Sequence, residues 1–117
     1  MNLEDLKIYK QYLEFIYYIE MITEKYPKVE KNSLVSTIKN TSYEGIKLII
    51  RAQKEYDFKT RLKLLNEIDD NLKMLKVLSR ISHRKKYISG KNYMAWSKKI
   101  NNIGILLGGW INSCVKR

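Results

Sequence analysis

The sequence predicts an all-α fold, an antiparallel up-down-up-down bundle of four helices formed by a single domain over residues 1–117. Three observations predict it. Apolar residues recur at steps of three and four in every long segment, the spacing that holds side chains on one face of a helix. One proline and five glycines in the whole chain are too few for a turn-rich β architecture. The uninterrupted segments are about 20 to 27 residues, roughly 30–40 Å at ~1.5 Å per residue, and short links between them suit antiparallel neighbours.

The first helix runs from about Leu3 to Glu24, with apolar residues on two lines. Leu6, Tyr9, Leu13 and Ile16 form one; Ile8, Tyr12, Phe15, Ile19 and Ile22 form the other. Tyr26-Pro27 ends it, because a residue before proline is pushed out of helical geometry. The second helix begins between Lys28 and Ser33 and runs to about Lys54. Its expected seam is Leu34, Ile38, Thr41, Gly45, Leu48 and Ala52, widened by Ile46 and Ile49. The third spans about Phe58 to Arg84, with Leu65, Ile68, Leu72, Leu75 and Leu78 facing inward. After Tyr87-Ile88-Ser89-Gly90, the fourth runs from about Lys91 to Val115. Tyr93, Trp96, Ile100, Ile103, Leu107, Trp110 and Cys114 there alternate steps of three and four, the seam spacing of a left-handed bundle. The doubled apolar face of the first helix, with Tyr17 and Tyr18 beside it, exceeds what one bundle buries and points to a homo-oligomer.

The longest uncharged apolar run, Ile103 to Ile111, is far short of the ~20 residues that span a bilayer, so no membrane partner is expected. Met1 leads directly into Asn2-Leu3-Glu4-Asp5, so neither a signal peptide nor export is expected, and the expected location is cytoplasmic. Cys114 is the single cysteine and His83 the single histidine. That excludes an internal disulfide and a histidine pair for metal, and no cofactor is expected. Cys114 reads as a small buried hydrophobe and His83 as a surface side chain. Asp69 and Asp70, with Glu67, are the one compact acidic group, but adjacent helical positions point apart. No second helix offers the Glu-x-x-His partner of a di-iron bundle, and the chain reads as non-enzymatic.

Charge is distributed unevenly. Residues 1–60 carry 10 Lys/Arg against 9 Asp/Glu; residues 61–117 carry 13 against 3, so +10 of the net +11 lies in the second half. One-sided basicity of this kind points to a polyanion, most simply RNA or DNA. Lys73, Lys76, Arg80 and Arg84 fall within an arc of roughly 80° at 100° per residue on the third helix, and Lys85 and Lys86 continue the stripe. An array of cations is what a phosphate backbone requires, since each neutralised phosphate releases counterions. A solvated face whose lysines complement the helix dipole would look similar, although it would more usually be interspersed with acids. Lys98, Lys99, Lys116 and Arg117 are further candidates, and Lys47, Arg51 and Lys54 make a second stripe on the second helix. No set of side chains suited to reading base edges is apparent, so backbone and shape recognition is expected.

Gly104, Gly108 and Gly109 each cost the fourth helix ~1 kcal/mol relative to alanine. The expected reason is close approach of a neighbouring helix or subunit. The segment around them, Ile103-Gly104-Ile105-Leu106-Leu107-Gly108-Gly109-Trp110-Ile111, closely resembles the closing segment of the accessory variability determinant proteins of diversity-generating retroelements. Tyr26-Pro27-Lys28, Leu65-Asn66-Glu67-Ile68-Asp69 with Leu72, Leu75 and Leu78, and Tyr87-Ile88-Ser89 extend the resemblance over nearly all of the chain. Four-helix proteins encoded in ribosomal RNA intervening sequences share the Tyr26-Pro27-Lys28 type of junction. They usually carry an Ala-Glu-Gly-type segment where this chain has Thr41-Ser42-Tyr43-Glu44-Gly45, a departure that favours the retroelement family. The resemblance implies a barrel-like homopentamer without chemistry of its own. It also implies binding of the reverse transcriptase and its template RNA in support of mutagenic complementary DNA synthesis. A ribosomal-RNA-associated bundle and an adaptor for an acidic protein are the other readings.

Overall fold

A computed structural model describes residues 2–115. Four α-helices, α1 (Lys7–Thr23), α2 (Leu34–Lys54), α3 (Phe58–Arg84) and α4 (Gly90–Val115), account for most of it, with short 3-10 turns at Leu3–Asp5 and Lys28–Glu30. No strand occurs among the described residues. Each helix packs against the next in sequence, and α1 also packs against α4, so the four enclose one apolar core in a bundle about 47 Å long.

The termini explain where the boundaries moved. Neither Asn2 nor Leu6 caps with its side chain, and Leu6 is extended, so the α-helix starts at Lys7 rather than near Leu3. Lys28 to Glu30 form a separate turn, which delays α2 to Leu34, just past the expected window. The Asp57 carboxylate accepts from Thr60 N–H at 3.0 Å and from its hydroxyl at 2.6 Å, capping α3 at the predicted residue. Ser89 does the same for α4, accepting from Asn92 N–H at 3.1 Å. Arg61 closes the other end of α2, donating to the carbonyls of Ala52 at 3.0 Å and Glu55 at 2.6 Å.

The core follows the predicted seams in α3 and in the middle of α4. Leu65, Ile68, Leu72, Leu75 and Leu78 are buried, as are Trp96, Ile100, Ile103, Leu107 and Cys114. Tyr93 and Trp110, expected on the same seam, are only half-buried, because they lie where α4 reaches the edge of the core. In α2 the buried line is Val35, Ile38, Ser42, Gly45, Ile49 and Ala52, with Leu48 beside it. Leu34, Thr41 and Ile46 are half-buried instead. The helix is turned so that its small residues face inward, and Ser42 tolerates burial by donating to the Ile38 carbonyl at 2.8 Å. In α1 the line from Ile8 to Ile22 is wholly buried, and of the other line Ile16 is buried while Leu6, Tyr9 and Leu13 are half-buried. The bundle therefore absorbs most of the doubled face. Tyr18 is half-buried with its hydroxyl on the Asn92 carbonyl at 3.0 Å, which leaves Tyr17 and Met21 as the exposed apolar pair.

Three helices meet in one buried polar contact. The Tyr12 hydroxyl donates to Asn71 Oδ1 at 2.7 Å, and Asn71 Nδ2 donates to the Thr41 carbonyl at 2.7 Å. Burial raises the Tyr12 phenol far above its ordinary pKa of 10.0, so it acts only as a neutral donor. Gly45 makes room for it: a Cβ there would overlap the Tyr12 hydroxyl and Asn71 Oδ1. A second contact pins one end of the bundle. The Glu30 carboxylate accepts from the Ser33 hydroxyl at 2.7 Å, the Tyr87 hydroxyl at 2.7 Å and Lys85 Nζ at 3.2 Å, tying the α1–α2 link to the α3–α4 link. Tyr26 packs against Tyr87 beneath it. The α3 terminus is a Schellman motif, with Lys86 N–H on the His83 carbonyl and Tyr87 N–H on the Ser82 carbonyl. It places Lys86 at φ 65°, in the left-handed region that glycine occupies without cost.

Three outcomes follow. Glycine-to-alanine in a helix ordinarily adds ~1 kcal/mol. At Gly45 overpacking costs ~1–3 kcal/mol and loss of the buried hydrogen bond another ~1–3 kcal/mol. Gly45→Ala therefore destabilises the fold by a net of roughly 2 kcal/mol or more, read as a lower urea midpoint. Hydrogen bonds from Ser33, then Tyr87 and Lys85, hold the Glu30 carboxyl at about 2, against 4.5 ordinarily. A depressed carboxylate stabilises the fold above its unfolded pKa, and that stability is lost as pH falls through the folded value. Glu30→Gln lowers Tm at neutral pH, and the gap from wild type shrinks as pH is taken from about 4.5 towards about 2. Lys86→Gly relieves the left-handed residue and raises Tm by the equivalent of roughly 1 kcal/mol, read by thermal denaturation.

Candidate nucleic-acid interface

The cations of α3 do not all have the same freedom. Lys73 is exposed but bonded to Asp69 at 2.6 Å, one turn earlier, and that hydrogen bond raises its pKa. The pair is too solvated to contribute much to stability, yet it reduces the positive charge at that end of the stripe. Lys76, Arg80 and Arg84 are exposed, and none forms an ion pair among the described residues. Lys85 is committed to Glu30 and lies over the Tyr87 ring, 5.9 Å from its centroid. Lys86 projects from the Schellman turn and is exposed. The unpaired part of the stripe is thus Lys76, Arg80, Arg84 and Lys86, displaced towards the C-terminal end of α3.

On α4, Lys98 is exposed, whereas Lys99 is half-buried with Nζ 5.1 Å from the centroid of the Tyr18 ring. That cation–π contact supports the α1–α4 packing. Lys116 and Arg117 lie outside the described residues. On α2, Lys47, Arg51 and Lys54 are all exposed, and the last two also complement the helix C-terminus.

Two grooves flank α3. The one shared with α4 is lined by Asp69, Lys73, Lys76, Ile100, Asn101 and Gly104. The one shared with α2 is lined by Glu44, Glu67 and Asp70 together with Thr41, Asn71 and Met74. The acidic trio of the sequence is therefore split between two sides, as adjacent helical positions require, and no described cluster of carboxylate, histidine or cysteine side chains is arranged to hold a metal ion. No helix among the described residues is long and apolar enough to cross a membrane.

Of the two neighbours expected at the glycines of α4, a helix of the same chain is not found there. A Cβ at Gly104, Gly108 or Gly109 would meet nothing within 4 Å, so no neighbouring helix of the same chain approaches them. Gly109 is exposed and Gly104 and Gly108 are half-buried, on a helix that also carries Ile105 at 73% exposure and Met94 at 74%. The glycine that does admit a close neighbour is Gly45, which the α2 seam contained without revealing its partner.

One residue acquires a context that spacing alone could not supply. His83 is exposed, as its basic surroundings suggested, but its ring lies flat on that of Tyr93, with centroids 4.5 Å apart and planes 4° from parallel. The contact joins the C-terminal end of α3 to the start of α4. Spacing aligns the histidine with the cations, through the step from Lys76 to Arg80 to His83, four and then three residues, but carries no sign of Tyr93.

No curated protein matches the sequence. The bAvd-like family profile matches residues 6–114, which takes in all four helices, the glycine-tryptophan ending and the whole unpaired cationic stripe. Matched over nearly its entire length, the chain belongs to the bAvd-like family.

Proposed function

We propose that this protein is the non-catalytic accessory component of a diversity-generating retroelement, binding reverse transcriptase and template RNA through the basic surface of α3 and α4. Membership of the bAvd-like family supports the retroelement. The observation that supports RNA is the run of Lys76, Arg80, Arg84 and Lys86, exposed and without ion pairs among the described residues. A protein of net charge +11 that leaves these cations unneutralised accepts self-repulsion, which a polyanion relieves. Lys86 strengthens the reading, since a lysine stands where glycine would be the more stable choice.

The reading includes an up-down-up-down topology in one domain, as the short links and contacts between sequence neighbours suggest. It also includes a homo-oligomer, pentameric by family resemblance. The glycines of α4 support this: helix stability is given up at Gly104, Gly108 and Gly109 with no close contact among the described residues to offset it. The reading places the protein beside cytoplasmic RNA.

Titrating a template-type RNA at several salt concentrations tests the proposal, with reverse transcriptase capture measured in parallel. Arg80→Gln, Arg84→Gln and Lys76→Gln each reduce the slope of log K against log salt by ~1, as loss of one phosphate contact does. Lys73→Gln reduces it less, because Asp69 already shares that charge. The quadruple glutamine variant keeps its helicity and loses most affinity. Undiminished binding by that variant at physiological salt would show that the stripe is a solvated face.

A further inference from the structure

The aromatic contacts of the bundle fall into two kinds. Tyr12–Phe15 and Phe15–Trp96 meet edge to face, at 69° and 66°, and Tyr26–Tyr87 is tilted at 51°. These are the geometries that ring quadrupoles favour in a packed interior. His83–Tyr93 is the one parallel stack among the described residues, and it lies at the surface. Tyr93 is half-buried against the core and fixed from below, while His83 rests on it exposed. The result is a flat, supported π-surface open to solvent.

Its position gives it a use. Lys76, Arg80 and His83 follow one another at steps of four and three, so the plate terminates a row of cations. Arg84 adjoins it in sequence and Lys86 follows the helix end. The only carboxylate lining the α3–α4 groove is Asp69, bonded to Lys73 at the far end. Cations in a row beside an exposed aromatic plate form the combination that binds single strands, with the phosphates on the cations and an unstacked base on the ring. A duplex keeps its bases stacked internally and has no face to offer the plate.

We infer that His83, seated on Tyr93, is a stacking platform for an unpaired nucleobase, with Lys76, Arg80 and Arg84 holding the flanking phosphates of a single-stranded segment of RNA. This rests on the nucleic-acid reading above and narrows it: the surface selects unpaired regions of its partner without reading base edges. Stacking tolerates any base, because every base has a π-face.

The test uses the full chain, a short single-stranded RNA carrying 2-aminopurine, and an RNA duplex of the same length. Binding quenches the 2-aminopurine of the single strand. His83→Ala weakens single-strand binding about tenfold, the scale of one lost stacking partner. It abolishes the quench and leaves the salt slope unchanged, because no phosphate contact is removed. His83→Phe restores both affinity and quench, and duplex affinity changes less than about twofold in either variant. Lys76→Gln instead lowers the salt slope for both RNAs. Single-strand binding by His83→Ala equal to wild type, or an equal loss on single strand and duplex, would overturn the platform while leaving salt-dependent RNA binding in place. A wild-type chain that binds neither RNA would overturn the nucleic-acid reading beneath it.

Discussion

The Tyr12 hydroxyl sits in the middle of the bundle, and water cannot reach it there. Its partner must come from another helix, and Asn71 of α3 supplies it while reaching the Thr41 carbonyl of α2. Buried polar groups are costly unless paired, so these hydrogen bonds admit one axial register of α1, α2 and α3. Gly45 is the counterpart of that register, because a side chain on α2 at this level would occupy the same space. Apolar packing alone tolerates sliding along a seam; the tyrosine–asparagine contact does not. The fourth helix is then aligned by Trp96, which meets Phe15 edge-on one turn beyond Tyr12.

Fixing α3 in rotation fixes its outer faces. With Asn71 turned inward, Glu67 and Asp70 lie beside α2 and join Glu44, while Lys73 and Lys76 lie beside α4. The third helix thereby separates an acidic groove from a basic one. Few of the protein's cations serve the fold itself: Arg61 closes α2, Lys85 meets Glu30, and Lys99 covers Tyr18. The cations of the third-helix stripe that lack such duties cluster near the C-terminal end of α3. Placing the charge there also complements the helix dipole, so one arrangement satisfies local helix electrostatics and presents a field to a polyanion.

The sequence made some of this legible and hid the rest for physical reasons. Large aliphatic side chains announce their face, so the inner line of α3 and the centre of the α4 seam were readable from spacing. The face of α2 was misread by a fraction of a turn. Its buried side includes Val35 and Ser42, and Leu34 and Thr41 stood in their places on the expected seam, because apolar counting passes over a buried serine. Helix starts were readable where a capping side chain exists, as at Asp57, and were missed by several residues at α1, where none does. The cationic stripe was visible as an angular pattern, but the pairing of Lys73 and Lys85 was not. Lys85 is neutralised by Glu30, a residue 55 positions away in the chain. The His83–Tyr93 stack likewise joins two helices and has no one-dimensional signature.

Several positions where this chain departs from local preference gather on α4 or beside it. Lys86 occupies a left-handed conformation suited to glycine, while Gly104, Gly108 and Gly109 occupy helical positions suited to alanine. Met94 and Ile105 present apolar surface to water from the same helix. All of these lie on α4 or on the turn that leads into it. In the interior, by contrast, Gly45 has an evident partner and Ser42 a satisfied hydroxyl. Apart from the Tyr26 hydroxyl and the Trp96 N–H, which are buried without a hydrogen-bond partner among the described residues, these departures group along one outer region, where a contact outside the chain would compensate them. That region adjoins the unpaired cations and the aromatic plate, so contacts with another macromolecule there would relieve backbone strain, cover apolar surface and neutralise charge together.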